Sequence, residues 1–326
     1  MSREVNSMIP ILIAIGAILL DLVLGDPRTK FHPTAWVGTL IAKVIPFAKS
    51  TNPKIEKIGG IIITISITGL VALLLVLFEI ISSVDDFILT ISIIVIGSIL
   101  LKTTIAIRGL ELYGKQVMDS INQNNLEQAK DRLAELVKRN TKQLDKNHIV
   151  SGVLESTSEN IVDGVTGPLF YFGLFGLPGA FVYRTINTFD SMIGYKNSIF
   201  SNIGWFAANS DKIINFVPAR ITGYVMVLAA MIIGADWKGA LYTIKNDAKN
   251  TSSPNAGIPM AAMAGALQTK FEKIDHYSLG SGTTDLGFDH FKSAIKLMKV
   301  TCILFCGIVT IPSIVLLIYM GWWIHV

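Results

Sequence analysis

Apolar residues in this chain gather into runs longer than the core of a soluble domain calls for. Residues 9–24, 58–78, 87–107 and 300–323 each read as a membrane-spanning helix. Pro10 sits where the first helix should open, because a proline lacks only an N–H that the first turn leaves unpaired anyway. Lys102, near the end of the third run, has a stem long enough to snorkel. Pro312 predicts a kink in the last run, and Trp322 and Trp323 suit an interfacial belt. A cleavable leader does not fit the first run, since Asp21 interrupts its end and no small-residue cleavage site follows. Two further apolar stretches are ambiguous. Residues 165–183 are broken by Gly167-Pro168, Gly173, Gly176 and Pro178-Gly179, and residues 221–235 fall below the roughly twenty that a span needs. Both are expected as re-entrant or embedded segments, tolerated where broken backbone lines a polar cavity.

Composition agrees with an all-α, polytopic membrane protein forming a single embedded domain over residues 1–326: 51% of residues are hydrophobic and 16% charged, with mean hydropathy +0.53. Lys and Arg collect in residues 26–57, 108–164 and 236–299, which are therefore expected as cytoplasmic loops, with the acidic connection Glu79, Asp85 and Asp86 and the amino terminus outside. Within the second loop, LEQAKDRLAELVKRN places Leu126, Ala129, Leu133, Leu136 and Val137 on one side, the pattern of a surface amphipathic helix. The net charge of +4 is modest and no basic block interleaved with aromatics occurs, which excludes nucleic acid as a partner. Cys302 and Cys306, a helical turn apart in an apolar run, read as small buried hydrophobes.

The polar chemistry concentrates between Glu155 and Asn197. Glu155, Glu159 and Asp163 fall at i, i+4 and i+8, so a helix would raise three like charges on one face. A bound cation on the facing side would relieve their repulsion, but on spacing alone a solvated face accounts for them. Arg184, Asn187 and Asp190 follow at three-residue steps after the Gly/Pro segment, again on one side. Near the start, Gly25-Asp26-Pro27 is a turn signature beside which Asp26, Arg28, Lys30 and His32 gather. The end of a helix and a ligand loop explain that turn equally well.

Several long stretches carry a resemblance: LDLVLGDP, FHPTAWVG, ESTSENIVDGVTGPLFYFGLFGLPGA, YRTINTFDSMIGYKN, NFVPARITG, SPNAGIPMAAMAGAL and HYSLG. Over nearly its whole length the chain resembles the CobD/CbiB family, the adenosylcobinamide-phosphate synthases of cobalamin biosynthesis. The resemblance implies a multi-pass cell-membrane ligase that uses ATP to join the free propionate carboxyl of adenosylcobyric acid to (R)-1-aminopropan-2-yl phosphate. It also implies contacts with other corrinoid-pathway membrane enzymes. A carboxylate resists nucleophiles, so phosphorylation by ATP would make it an acyl phosphate, a step that calls for metal ions and cationic clamps.

Under that resemblance Glu155, Glu159, Asp163 and Asp190 are expected to hold Mg²⁺, and Glu159, Asp163, Asp190 and Arg184 to be catalytic. Arg184, Lys196 and Arg220 would contact phosphate oxygens, and Asn160, Asn187, Asn215 and Asn255 would orient substrate, as would Asp26 and His32. The two polar groups, after residues 154 and 183, are expected to share one chamber on the cytoplasmic membrane face. Helix capping, snorkelling and turn closure would account for the same side chains singly. SPNAG reads as a turn and, by resemblance, as a substrate loop; no GxxxxGK[ST] occurs, so a nucleotide site would be of another kind. The chain departs from the family pattern at Asn140, Asn209 and Met260, where Asp, Arg and Glu are common. A corrinoid-handling transporter or binding protein without ligase chemistry is the alternative; it predicts ionisable residues within spans and internal repeats. The amine stays open, with ethanolamine phosphate or a threonine-derived phosphate as other choices.

Overall fold

A computed structural model of the chain describes residues 3–26, 30, 32–81, 87–137, 139–195 and 199–321. It is an all-α membrane protein with one short hairpin. In chain order the helices are α1 (Arg3–Leu24), α2 (Pro33–Ala48), α3 (Pro53–Ile81), α4 (Phe87–Lys102), α5 (Ile107–Asn122), α6 (Leu126–Leu136) and α7 (Lys146–Ile161). Then come α8 (Gly167–Ile193), α9 (Trp205–Ile233), α10 (Trp237–Asp247), α11 (Pro254–Ala266), the antiparallel strands β1 (Phe271–Lys273) and β2 (Tyr277–Leu279), α12 (Phe288–Phe305) and α13 (Ile311–Tyr319). Among the described residues five helical stretches are long and apolar enough to cross a membrane: Pro53–Ile80, Ile88–Asn122, Lys146–Ile193, Trp205–Ile233 and Phe288–Tyr319. Met8–Leu24 and Pro33–Ala48 are apolar but shorter.

Several boundaries differ from those the apolar runs predict. Helix α1 starts before the apolar run, which leaves Pro10 inside the helix, not at its opening. Residues 33–48, expected within a loop, form α2, opened by Pro33 in its first turn and carrying Pro46 inside. Residues 221–233 of the second stretch form the second half of the 29-residue α9, because the polar turns before them are helical too. The last apolar run is preceded by polar helix from Phe288; a wide turn at Cys306–Thr310 and Pro312 separate α12 from α13. Residues 165–183 do break, at one point: Phe175 (φ −137, ψ 19) and Gly176 (φ 62, ψ −154) leave helical geometry inside α8. Only glycine adopts the latter conformation readily. The Glu79 carboxylate of α3 accepts a hydrogen bond from the Leu177 N–H just beyond, at 3.0 Å. Trp322, Trp323, Asp85 and Asp86 lie outside the described residues.

The described residues divide into two compact units. The first takes the chain up to Ala106, Gly167–Asn215 and the part from Cys306 on. Its core includes Ile41, Ile63, Ile67, Phe189, Ile193 and Ile203, from α2, α3, α8 and the connection to α9. Small residues let its helices approach: a Cβ on Gly97 of α4 would stand 2.7 Å from Ile13 of α1. The second unit takes Ile107–Thr166 and Phe216–Phe305. There α7 is buried on nearly every side, with Ile149, Val150, Val153 and Leu154 fully enclosed. Helix α5 meets α12 where Gly114 leaves room for the Phe291 ring, and α6 packs through Ala129 and Leu133, as its amphipathic pattern predicts. Asn125, Asp145 and Asp236 cap α6, α7 and α10 by accepting first-turn N–H groups.

Two glycines of α3 should respond in opposite ways to alanine. At Gly60 a Cβ would run into the Ile203 backbone, whose carbonyl carbon would lie 2.8 Å away. At Gly69, which lines an open cleft of about 340 Å³, a Cβ meets nothing within 4 Å. Gly60→Ala is expected to lower unfolding stability in detergent by about 1–3 kcal/mol, and Gly69→Ala to raise it by about 0.5–1 kcal/mol. Equal effects in a chemical-denaturation comparison would contradict the packing described for α3.

Candidate functional site

Polar side chains of the second unit converge on Glu155. It lies in the third turn of α7 and is buried, and its carboxylate is held by three protein donors. The Ser151 hydroxyl, one turn earlier, donates to Oε1 at 2.7 Å, and the Tyr277 hydroxyl donates to Oε2 at 2.8 Å. Arg139 Nη2 donates to Oε1 at 3.3 Å and to the His148 carbonyl at 3.4 Å. Gly152 makes room for that guanidinium, which a Cβ there would strike. Ser151 also accepts the Glu272 N–H at 2.9 Å, so one hydroxyl ties the β1–β2 hairpin to α7. Burial raises the pKa of Tyr277, and the negative charges of Glu155 and Glu159 raise it further, so the phenol stays protonated and donates.

One turn on, Glu159 is exposed, and Asn160 donates from Nδ2 to the Ser156 carbonyl at 2.8 Å. Asp163 is half-buried within a wide turn, Val162–Thr166, that follows α7. Such turns hold one more residue than an α-helical turn, so the i, i+4, i+8 line expected of the three carboxylates does not continue in regular α-helix through Asp163. The turn is braced by Thr166, whose hydroxyl pairs with that of Thr222 at 2.6 Å. Just before Thr222 in α9, Arg220 donates to the Phe216 carbonyl at 2.6 Å and to Asn255 Oδ1 at 3.0 Å, with its guanidinium over the Phe216 ring. Asn255 stands in the first turn of α11, so SPNAG is the opening of a helix and not the free turn its composition predicts.

In the first unit a second polar chain runs along α8 and α9. Arg184 donates to Asn187 at 3.2 Å, and Asn187 donates to Asp211 at 3.2 Å. The other Asp211 oxygen accepts from Asn215 at 3.1 Å, and Asn215 accepts from the Tyr183 hydroxyl at 2.5 Å. Tyr171 stacks on Tyr183 with ring centroids 5.4 Å apart. Asp190, two turns beyond Tyr183, folds its carboxylate against Gly194, where a Cβ would collide with it. Asp211 and the two tyrosines escaped the sequence reading. The four-residue spacing of Asp211 and Asn215, in a helix long and apolar enough to cross a membrane, is a usable signal, whereas nothing marks Tyr183.

Asp26 and His32 also sit together, 3.8 Å apart, but around a third group. Lys102, expected to snorkel, is buried between Asp26 at 2.8 Å and Asp21 at 3.4 Å. A buried ammonium with two carboxylates is satisfied inside the protein, so its stem has no reason to reach for the interface. Burial alone would raise the pKa of Asp26, but the hydrogen bonds and charges of His32 and Lys102 outweigh it and hold the carboxyl below the usual range. Among the described residues no three His, Cys, Asp or Glu side chains converge closely enough to hold a metal by themselves. Lys196 lies outside the described residues.

Residues 14–299 match the model of the family described as CobD/Cbib protein. The "Probable cobalamin biosynthesis protein CobD" of Methanothermobacter thermautotrophicus is 39% identical over 289 residues, covering 89% of this chain and 93% of the relative. Its namesake in Methanocaldococcus jannaschii is 38% identical over 317 residues, covering 94% and 97%. The "Cobalamin biosynthesis protein CobD" of Leptospira interrogans is 38% identical over 264 residues, covering 80% and 82%. No solved structure matches. With a family model spanning most of its length and relatives at this level of identity, the chain belongs to the CobD/Cbib protein family.

Proposed function

We propose that this protein acts in cobalamin biosynthesis as adenosylcobinamide-phosphate synthase, an ATP-dependent ligase of the cell membrane. The observation that carries the reading is the length of the likeness: relatives named for cobalamin biosynthesis align with 80% or more of the chain. In the proposed reaction a propionate oxygen of adenosylcobyric acid attacks the γ-phosphorus of ATP and ADP leaves. The amine of (R)-1-aminopropan-2-yl phosphate then attacks the acyl phosphate carbonyl, an amide bond forms, and phosphate and a proton depart.

The residues of the chain suit these tasks by their chemistry. Mg²⁺ brought in with ATP would be held by carboxylate oxygens of Glu159 and Asp163, or of Asp190, with water and phosphate completing its shell, and would neutralise phosphate charge. One or two carboxylates suffice for that, so a protein cage of three is not required. Arg184 and Arg220 offer planar donors for phosphate oxygens, each already oriented by an asparagine, Asn187 and Asn255. Glu155, whose two oxygens accept three protein hydrogen bonds, is proposed as the anchor that fixes the polar surface of α7. The reaction is proposed to open to the cytoplasm, where ATP is available.

A transporter or corrinoid-binding protein is the second reading, favoured by one observation: the first unit holds both a buried ammonium, Lys102 between Asp21 and Asp26, and a broken α8, like the ionisable groups and discontinuous helices of carriers.

Purified in detergent and supplied with adenosylcobyric acid, ATP, Mg²⁺ and aminopropanol phosphate, the protein is expected to release ADP and yield the amide by mass. Neither product with any amino-alcohol phosphate, together with corrinoid uptake in vesicles, would overturn the ligase reading in favour of the carrier. Asp163→Asn and Asp190→Asn are each expected to cut turnover by about 10²-fold or more, measured on protein whose circular dichroism is unchanged. Tyr277→Phe and Glu155→Gln are expected to lower kcat by roughly tenfold while leaving the Mg²⁺ concentration for half-maximal rate in place. A rightward shift of that concentration for Glu155→Gln would mean the carboxylate binds the metal after all.

A further inference from the structure

Helix α10 and the short turn that extends it, Ala248–Asn250, leave one face without a partner in the second unit. Lys238, Tyr242, Lys245 and Lys249 are exposed at steps of four, three and four residues, so they lie along a single line of the helix. Trp237, 36% exposed, stands at the head of that line with the Lys238 ammonium 5.6 Å from its ring centroid. Tyr242 is 67% exposed. The opposite face is the packed one, where Ala240 and Thr243 are buried and Gly239 abuts the backbone of Gly265 in α11.

Of the neighbouring acids Asp236 feels the Lys238 charge, yet both Asp236 and Asp247 turn their oxygens to other donors. Asp236 accepts the Gly239 N–H at 2.8 Å and the Gln268 side-chain amide at 3.1 Å, and Asp247 accepts the Gly280 N–H at 2.8 Å. Among the described residues, three ammonium groups and two aromatic rings share this surface, and no Asp or Glu of the helix falls on their line. Position gives that surface its partner. Helix α9 is long and apolar enough to cross a membrane, and Tyr224, Leu228, Met231 and Ile232 near its end are exposed as lipid-facing residues would be. It stops at Ile233, Gly234 turns the chain at φ +75, and α10 begins at Trp237. The cationic and aromatic face therefore starts within one turn of the point where α9 leaves hydrocarbon. Trp and Tyr favour that depth, and Lys beside it is attracted to anionic headgroups.

We propose that the outward face of α10 docks on the anionic phospholipid headgroups of the membrane that α9 crosses. The lysines meet phosphate and acidic headgroups, and Trp237 and Tyr242 rest their rings at the level of the glycerol backbone. Nothing in this depends on the ligase chemistry.

The test uses the full-length chain in nanodiscs of phosphatidylcholine with and without 30 mol% phosphatidylglycerol. A spin label is placed at Asn246→Cys, an exposed position beside the lysine line; the chain's own Cys302 and Cys306 are buried. Power saturation with oxygen and a water-soluble nickel complex reports the depth of the label. With phosphatidylglycerol the label is expected at headgroup depth. A triple variant, Lys238→Gln with Lys245→Gln and Lys249→Gln, should at least double its accessibility to nickel. Raising the salt from 50 mM to 500 mM should have the same direction of effect on the otherwise unsubstituted chain, so the proposal stays open to disproof if the triple variant fails to fold. A label equally accessible to nickel in both discs, or unmoved by both substitution and salt, would overturn it and leave the face to solvent or to an acidic protein.

Discussion

A bilayer offers no water to a stranded charge or an unpaired amide, and that constraint shapes both units of this protein. Among the described residues, several ionisable groups of the apolar helices have partners from other segments. Lys102 closes on Asp21 and Asp26, Glu79 takes the amide exposed by a broken helix, and Asp211 is bracketed by two asparagines. Such pairs add little net stability over apolar residues of the same shape, but losing one member strands the other. Their effect is to fix where each helix sits along its neighbour.

The second unit uses the same economy around Glu155. Ser151, Arg139 and Tyr277 come from three separate segments, and the carboxylate gives them a common acceptor. Glu159 follows one turn later on the same rigid helix, so the anchor and the exposed carboxylate are set by one piece of backbone. Met260 lies with its sulfur 3.8 Å from the Tyr277 hydroxyl. A soft thioether there adds no further negative charge beside Glu155 and Glu159.

What the residues disclosed in advance was local. The membrane class followed from the length of apolar runs, the amphipathic α6 from its spacing, and the Arg184 and Asn187 contact from a three-residue step along a helix. Contacts between remote segments were not legible, because periodicity says which face a residue occupies and not what it will meet. Asp26 finds Lys102 at a separation of 76 residues, Arg220 finds Asn255 at 35, and Tyr277 finds Glu155 at 122. Helix ends were also misplaced where polar turns continue a span, as in α9 and α12: hydropathy registers the hydrocarbon-matched part of a helix and is blind to the rest. The wide turn at Val162–Thr166 left no mark in spacing, since one extra residue per turn looks like ordinary helix until the hydrogen bonds are known.

The break at Gly176 has a mechanical corollary for the polar row on α8. Because helical geometry is broken there, the segment from Leu177 onward is a separate rod, clipped at its first residue to α3 through Glu79. Arg184 rides on it only about 10 Å from that clip, at 1.5 Å per residue. Its heading is therefore set jointly by the glycine at the break, the Glu79 tie and the packing of Phe189 and Ile193 against α2 and α3 further along the same rod.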